Sequence, residues 1–244
     1  MRIAVKGFVK ASPVYPLLSH FRAARQINKW RRSGCPTPPP SVYKQRVVAT
    51  FARKFGIKTL IETGTLFGEM VAASRNVFQY IYSIELDETL FQKAEQRFDK
   101  FAHIKIIKGD SGDVLPSLLR VIDSPCLFWL DGHYSGEGTG RGVKDTPVSR
   151  ELEAILRHAR RKHVVLVDDA RLFDGENDYP TINAITQMIA THRPEWALEI
   201  AHDIIRIFPL LRSEDRITAQ LLSPMADDSV SVGRGIQLAD PNES

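Results

Sequence analysis

The chain has 244 residues, of which 43% are apolar, a composition typical of one globular domain with short additional segments. It carries two cysteines and no apolar run near the roughly 20 residues that span a bilayer, so neither a disulfide-rich scaffold nor a membrane-spanning protein is expected. The net charge of +4 is unevenly distributed: thirteen Lys and Arg and no Asp or Glu precede Glu62, which leaves 20 basic against 29 acidic residues in the remainder.

Residues 1–41 are predicted to form a basic N-terminal extension that ends in a proline-rich linker. Apolar residues recur at steps of three and four across residues 14–32, with Lys and Arg between them, which indicates an amphipathic helix. Such a helix packs on its own domain or a second subunit, as in a homodimer, or it makes peripheral contact with an anionic membrane surface. No motif for reading nucleic acid accompanies the charge, so no nucleic-acid partner is expected. The location is expected to be cytoplasmic, because two cysteines make no disulfide framework.

Residues 42–210 alternate between short apolar runs and helical patterns, and residues 211–244 form a polar C-terminal tail. Strands are predicted at about 57–62, 80–85, 104–107, 126–130, 163–167, 196–201 and 204–208. Helices are predicted at 42–55, 68–79, 87–100, 113–122, from 147 onward, and at 181–192. This alternation predicts an α/β fold with a doubly wound sheet of about seven strands, mostly parallel, and the tight link at 202–203 predicts one antiparallel strand near the C-terminus.

The first predicted strand runs into a glycine turn, Glu62-Thr63-Gly64-Thr65, followed by Gly68 and a helix. A strand, a glycine turn and a helix begin a βαβ unit, and ligands bind at the carboxyl ends of such strands. A dinucleotide fingerprint would place glycine where Glu62 stands, and a carboxylate there repels a pyrophosphate but suits an amine or a sulfonium. Glu85 ends the next strand, about 20 residues past the turn, where an acid accepts hydrogen bonds from a ribose diol.

The turn and the acid together resemble the S-adenosylmethionine (SAM) site of class I methyltransferases, which have a Rossmann-like sheet. The resemblance implies that Glu62 and the turn hold the amino-acid end of SAM, that Glu85 binds the ribose, and that Asp110 and Ser111 flank the adenine. The complete set of implied cofactor contacts is Glu62, Thr63, Gly64, Thr65, Gly68, Glu85, Asp110, Ser111 and Asp131.

A second group of carboxylates, Asp131, Asp168 and Asp169, ends the strands at 126–130 and 163–167. These strands are neighbours in the expected topology, and three converging carboxylates repel one another unless a cation sits between them. Oxygen ligands favour Mg²⁺ or Mn²⁺. The group resembles the metal site of macrocin-type sugar O-methyltransferases, which implies a divalent ion that binds two acceptor hydroxyls and lowers the pKa of one.

The macrocin-type pattern reads Asp-Gly-Asp where this chain has Asp131-Gly132-His133. His133 is therefore the candidate general base, because imidazole accepts a proton near neutral pH, and Asp131 is the second candidate catalytic residue. Arg171 follows the aspartate pair and is a candidate contact for an anionic acceptor.

These features predict a SAM-dependent methyltransferase that, assisted by a divalent metal, methylates a hydroxyl of a sugar, a glycan or another polyhydroxylated small molecule. Two alternatives stay open. One is an NAD-dependent oxidoreductase, because Glu85 suits either cofactor. The other is a non-catalytic SAM-binding protein that attaches to a membrane or a partner through its basic N-terminus.

Overall fold

Seven strands form one sheet between two layers of helices in a computed structural model, which describes residues 15–132, 146–159 and 162–210. The strands are β1 Thr59–Thr63, β2 Tyr80–Glu85, β3 Ile104–Lys108, β4 Cys126–Leu130, β5 Val164–Val167, β6 Trp196–Ala201 and β7 Ile204–Pro209. The helices are α1 Tyr15–Arg32, α2 Ser41–Phe55, α3 Glu69–Ser74, α4 Glu88–Phe98, α5 Ser111–Leu119, α6 Val148–Arg157 and α7 Ile182–His192, with a 3₁₀ turn at Ala170–Leu172.

The strands lie in the order β3-β2-β1-β4-β5-β7-β6. The first five are parallel to their neighbours, whereas β7 runs antiparallel to both β5 and β6. The predicted fold class is therefore confirmed, including the single reversed strand. Two predicted helices differ in extent: the one expected at 68–79 covers only Glu69–Ser74, and the one expected to open at Asp113 begins at Ser111 because Asp110 caps it.

The central strands β1, β4 and β5 are buried along their whole length, and their side chains alternate between two hydrophobic cores. Leu60 and Trp129 lie in one core, whereas Ile61 and Phe128 lie in the other. Both faces of the sheet are thus covered by helices, as continuous apolar parallel strands require. Because these strands are parallel and in register, their carboxyl ends meet at one edge of the sheet.

Helix α1 belongs to this packed body through its C-terminal half. Ile27 and Trp30 are buried in the first core, and the Trp30 ring lies 4.6 Å from the Tyr43 ring, centroid to centroid. The indole N–H donates to the carbonyl of Pro36 at 2.8 Å, which ties the proline-rich segment to the helix. The C-terminal end of the helix therefore contacts the chain's own domain, whereas Phe21, earlier on the same apolar stripe, is 69% exposed. None of the helices among the described residues combines the length and apolar character needed to cross a bilayer.

Candidate cofactor and acceptor site

The glycine turn after β1 is as tight as the sequence predicts, and contacts within the protein demand both glycines. Gly64 has φ +82°, and a Cβ there would lie 2.6 Å from the carbonyl oxygen of Asp131, at the end of β4. Gly68 has φ +70°, and a Cβ there would lie 2.6 Å from the Phe98 ring. Only glycine adopts such a backbone at little cost and leaves room for these neighbours. The turn is therefore held close against β4 on one side and α4 on the other.

Glu62 is 2% exposed and lies at the base of this turn. Its Oε2 accepts a hydrogen bond from the Ser83 hydroxyl, which lies 2.6 Å from the Thr65 hydroxyl oxygen. Burial raises the pKa of Glu62 to about 8; the bond from Ser83 opposes this rise and the charge of Glu85 adds to it. A cationic group beside Glu62 would stabilise its ionised form, so this carboxyl is suited to an ammonium or a sulfonium.

Glu85 connects the end of β2 to the turn. Its Oε2 accepts from the backbone N–H of Leu66 at 2.7 Å, and its Oε1 accepts from the backbone N–H of Asp87 at 2.9 Å. A carboxylate has about four lone-pair sites, so two backbone bonds leave capacity for a further donor such as a ribose hydroxyl. Glu85 therefore fixes the conformation of the turn, a role that was not predicted from the sequence.

Asp110 and Ser111 lie where β3 passes into α5. Asp110 caps the helix by accepting from the backbone N–H of Gly112 at 2.8 Å, and it pairs with Arg150 Nη2 at 3.0 Å. Helix capping therefore explains part of the acidic pattern at the strand ends. Ser111 is buried, and its hydroxyl lies beside Glu151 of α6.

Sequence reasoning missed Glu151, which is fully buried and lines a cavity next to Asp131. Within the described part of the chain, neither its Oε1 nor the Thr63 hydroxyl has a hydrogen-bond partner. Burial raises the pKa of Glu151 to about 7, although the Ser111 hydroxyl lowers it. The sequence holds a signal for this residue, because Glu151 lies at helical spacing from Val148 and Ile155 and is the charged residue on the apolar face of α6.

Asp131, Asp168 and Asp169 come together at the ends of β4 and β5, as the sequence predicts. Burial raises the pKa of Asp131 well above its usual range, and Asp168 adds to the rise. Burial also raises the pKa of Asp168. The predicted convergence thus brings carboxyls into electrostatic contact in a poorly solvated place, where like charges disfavour ionisation.

The cation between these carboxyls is Lys44 of α2, which sequence reasoning did not single out. Its Nζ donates a hydrogen bond to Asp168 Oδ2 and lies 3.9 Å from Asp169 Oδ1. Burial, the largest single effect, lowers the pKa of Lys44, but the combined attraction of Asp168, Asp131 and Asp169 outweighs it and the pKa is raised. Lys44 therefore remains a cation and offsets part of the repulsion among the aspartates.

Arg171 binds Asp169 and the hairpin turn, and its side chain is 41% exposed. Its Nη1 donates to Asp169 Oδ1 at 2.8 Å and to Asp203 Oδ2, and its backbone N–H donates to Asp203 Oδ1 at 2.9 Å. The contact of Arg171 with an anionic acceptor stays a prediction. The guanidinium fixes the exit of β5 to the turn between β6 and β7.

The donor set does not fit a divalent metal as the aspartates are arranged. Lys44 and Arg171 form ion pairs with oxygens of Asp168 and Asp169. In residues 15–132, 146–159 and 162–210, no group of three His, Cys, Asp or Glu side chains could hold a metal ion. The predicted Mg²⁺ or Mn²⁺ is therefore unsupported at these positions. His133 lies outside the described residues, so its role as the base stays a prediction.

The cavity beside these carboxyls extends from Asp131 and Asp168 to Glu151, Phe173 and Tyr179. The Phe173 and Tyr179 rings contact each other edge to face, with centroids 5.1 Å apart. Burial raises the pKa of the Tyr179 phenol, and the charge of Asp169 adds to the rise, so the phenol stays protonated and can donate a hydrogen bond. Tyr179 lies in an irregular segment ten residues past the aspartate pair, where no periodic pattern draws attention to it.

Comparisons with known proteins identify solved structures that have a similar fold. No family model matches the chain, and no curated protein does. Among solved structures, the O-methyltransferase TomG from Streptomyces achromogenes, in complex with SAM, has a TM-score of 0.52 at 15% identity over 78% of this chain and 89% of that one. An O-methyltransferase from Bacillus cereus, in complex with SAH, has a TM-score of 0.53 at 12% identity over 77% and 90%. The SAH-bound methyltransferase PaMTH1 from Podospora anserina has 0.50 at 14% over 85% and 94%.

These likenesses, together with the strand order, identify the fold as that of the class I SAM-dependent methyltransferases.

Proposed function

We propose that this chain is a SAM-dependent O-methyltransferase that acts on a hydroxylated small molecule or a glycan. The observation that carries the proposal is the buried carboxyl of Glu62 at the glycine turn of a sheet with the methyltransferase strand order. A buried carboxyl with a raised pKa is a group that a cationic ligand would stabilise. The solved neighbours, described as complexes with SAM or SAH, support the same ligand.

In this proposal the turn binds the cofactor through groups that the protein has already oriented. Glu62 faces the amino-acid end of SAM, and Glu85 accepts from the ribose while it holds the Leu66 N–H. Asp110 and Ser111 border the adenine. When bound, SAM supplies a methyl group on a sulfonium; the acceptor oxygen forms a bond to that carbon as the carbon–sulfur bond breaks, and SAH leaves.

The acceptor would bind at the edge of the sheet where β4 and β5 end, beside Asp131 and Asp168, because the cavity that these residues line with Tyr179 is only about 10 Å³, enough for one water molecule. Carboxyl and phenol groups hydrogen-bond to hydroxyls, which favours sugars and other hydroxylated molecules as acceptors. The proton from the acceptor hydroxyl goes to a base, for which His133 is the predicted residue. Alignment of acceptor and methyl group can supply roughly 7–11 kcal/mol of the barrier, so positioning is the main task of these residues.

The proposed reaction does not include assistance by a metal ion. Such assistance would need Asp168 and Asp169 to release Lys44 and Arg171, whose charges they now balance. No step here is therefore assigned to a metal.

Titration of the full chain with SAM by calorimetry at pH 7 tests the cofactor, and saturable binding is expected. Glu62→Gln should weaken binding at least about tenfold, since a charge-assisted bond to an ammonium is worth about 1.5–3 kcal/mol. Glu88→Gln, which changes a mostly exposed carboxylate on α4, is the matched control and should bind normally. Because Glu62 is mostly protonated at pH 7, binding by the unmodified chain should release a proton, detected as a dependence of the heat on the buffer. Binding of NAD with none of SAM would overturn the proposal.

Transfer of a labelled methyl group from SAM to a panel of sugars, diols, phenols, amines and thiols tests the reaction itself. A methyl ether product is expected with at least one hydroxylated acceptor. If SAM binds but the label appears only on amine or thiol acceptors, the O-methyltransferase assignment is wrong while the cofactor assignment survives.

A further inference from the structure

The carboxyls at the ends of β4 and β5 need a positive charge, and a lysine from outside the βα units provides it. Lys44 lies on α2, the helix that precedes β1, and reaches across to Asp168, the residue after β5, which is the fifth strand along the sheet when β3 is counted first. Two carboxylates, those of Asp168 and Asp169, are within ion-pair distance of its Nζ, and Asp131 also interacts with it electrostatically.

The packing of α2 holds this lysine in place. Tyr43, Val47 and Val48 are buried in the first core on either side of it, so the backbone at Lys44 cannot shift without disturbing that core. The Lys44 side chain is 18% exposed and that of Asp168 is 1% exposed. An ion pair so little exposed is weakly screened by solvent, and removal of one partner leaves a buried, uncompensated charge.

We propose that Lys44 takes the place of a divalent metal in this site, and that its ammonium, held by Asp168 and Asp169, is the positive group at the acceptor end. The inference deepens the proposed function and rests on it for the identity of the acceptor. The charge arrangement itself can be tested without any methyl transfer.

An ammonium and a metal ion select acceptors differently. A divalent ion in an oxygen site chelates two neighbouring hydroxyls, whereas an ammonium offers separate hydrogen bonds from three N–H donors. Asp168 uses one donor. In this proposal another donates to the acceptor oxygen. The site should therefore take an acceptor with a single hydroxyl as readily as one with a vicinal diol.

Mn²⁺ titration of the full chain, followed by electron paramagnetic resonance, tests the substitution. The unmodified chain should show no saturable binding up to about 1 mM, the weak end of the range for carboxylate sites. Lys44→Gln removes the cation that interacts with both Asp168 and Asp131, and these two carboxyls should then bind Mn²⁺ at least tenfold more tightly, while Arg171 still holds Asp169. Arg46→Gln removes one positive charge from the exposed side of the same helix and should create none.

Three results would overturn the inference. The first is tight Mn²⁺ binding by the unmodified chain that Asp168→Asn abolishes, a measurement that needs no lysine variant and stands even where Lys44→Gln fails to fold. The second is a folded Lys44→Gln chain that gains no Mn²⁺ binding. The third is methyl transfer that EDTA suppresses tenfold and Mg²⁺ restores. Gain of Mn²⁺ binding in Lys44→Gln without SAM binding by any variant would instead overturn only the methyltransferase proposal.

Discussion

Glu151 should make the stability of this protein fall as the pH rises, and Glu151→Gln should remove that effect. The carboxyl is 1% exposed, and burial raises its pKa from 4.5 to about 7. A carboxyl whose pKa rises on folding stabilises the folded state while it is protonated. That contribution is complete below about pH 4.5 and is lost as the pH rises to about 7.

The size of the effect follows from the two pKa values. They differ by about 2.5, and each pH unit is worth about 1.4 kcal/mol, so ionised Glu151 costs about 3 kcal/mol above pH 7. Glutamine has nearly the same shape and does not ionise. The free energy of unfolding of Glu151→Gln, relative to the unmodified chain, should therefore increase by about 3 kcal/mol between pH 4.5 and pH 8.

Urea denaturation followed by circular dichroism at several pH values measures this difference. Glu153→Gln is the matched control, because Glu153 lies on the same helix with a half-exposed side chain paired to Arg157 at 2.8 Å. Its difference from the unmodified chain should change by less than about 1 kcal/mol over the same range, as exposed ion pairs do. If Glu151→Gln behaves like Glu153→Gln, then Arg150 or solvent neutralises Glu151 and the reasoning from burial is refuted.

Two further pairs of variants test the packing that positions the site. Gly64→Ala should destabilise the protein more than Gly56→Ala, because both residues have positive φ but a Cβ at 56 meets nothing within 4 Å, whereas one at 64 meets a backbone oxygen at 2.6 Å. The expected losses in the free energy of unfolding are about 1 kcal/mol at 56 and at least about 2–3 kcal/mol at 64. Equal midpoints of unfolding in urea would contradict this. Trp30→Ala should lower the free energy of unfolding by about 3–5 kcal/mol, whereas Phe21→Ala, which removes a ring that is 69% exposed, should lower it by less than about 1 kcal/mol. Thermal unfolding distinguishes the two variants. A small effect of Trp30→Ala would mean that α1 does not belong to the core.

The sheet was predictable because its signals are local. Short apolar runs such as Cys126–Leu130 are long enough for one buried strand, and the link at His202 and Asp203 is too short for anything but a hairpin. The convergence of Asp131 and Asp168 follows from the same pattern, since parallel strands end at one edge. Helix ends were less predictable: Asp110 caps α5, so the helix begins at Ser111, two residues earlier than its apolar pattern suggests.

The missed residues reach the site from elements whose local patterns describe something else. Lys44 lies in a helix that was predicted only as the segment leading into the first strand, and nothing near it in sequence points to Asp168, 124 positions away. Glu151 was detectable as a charged residue on an apolar helix face, but the identity of its surroundings was not, because Thr63 and Ser111 come from other elements.

Electrostatics explains why the need for a cation was predictable and its identity was not. Three carboxyls at two neighbouring strand ends require a compensating positive charge wherever they stay ionised, and this follows from the sheet alone. Whether the charge is a metal ion or an ammonium depends on which side chains the flanking helices direct to that edge. In this chain α2 directs Lys44 there, and its fixed packing makes the lysine a permanent competitor for any metal. A chain with the same strand ends but a neutral residue at position 44 should therefore bind a divalent ion where this one does not, which is the comparison that Lys44→Gln makes within a single protein.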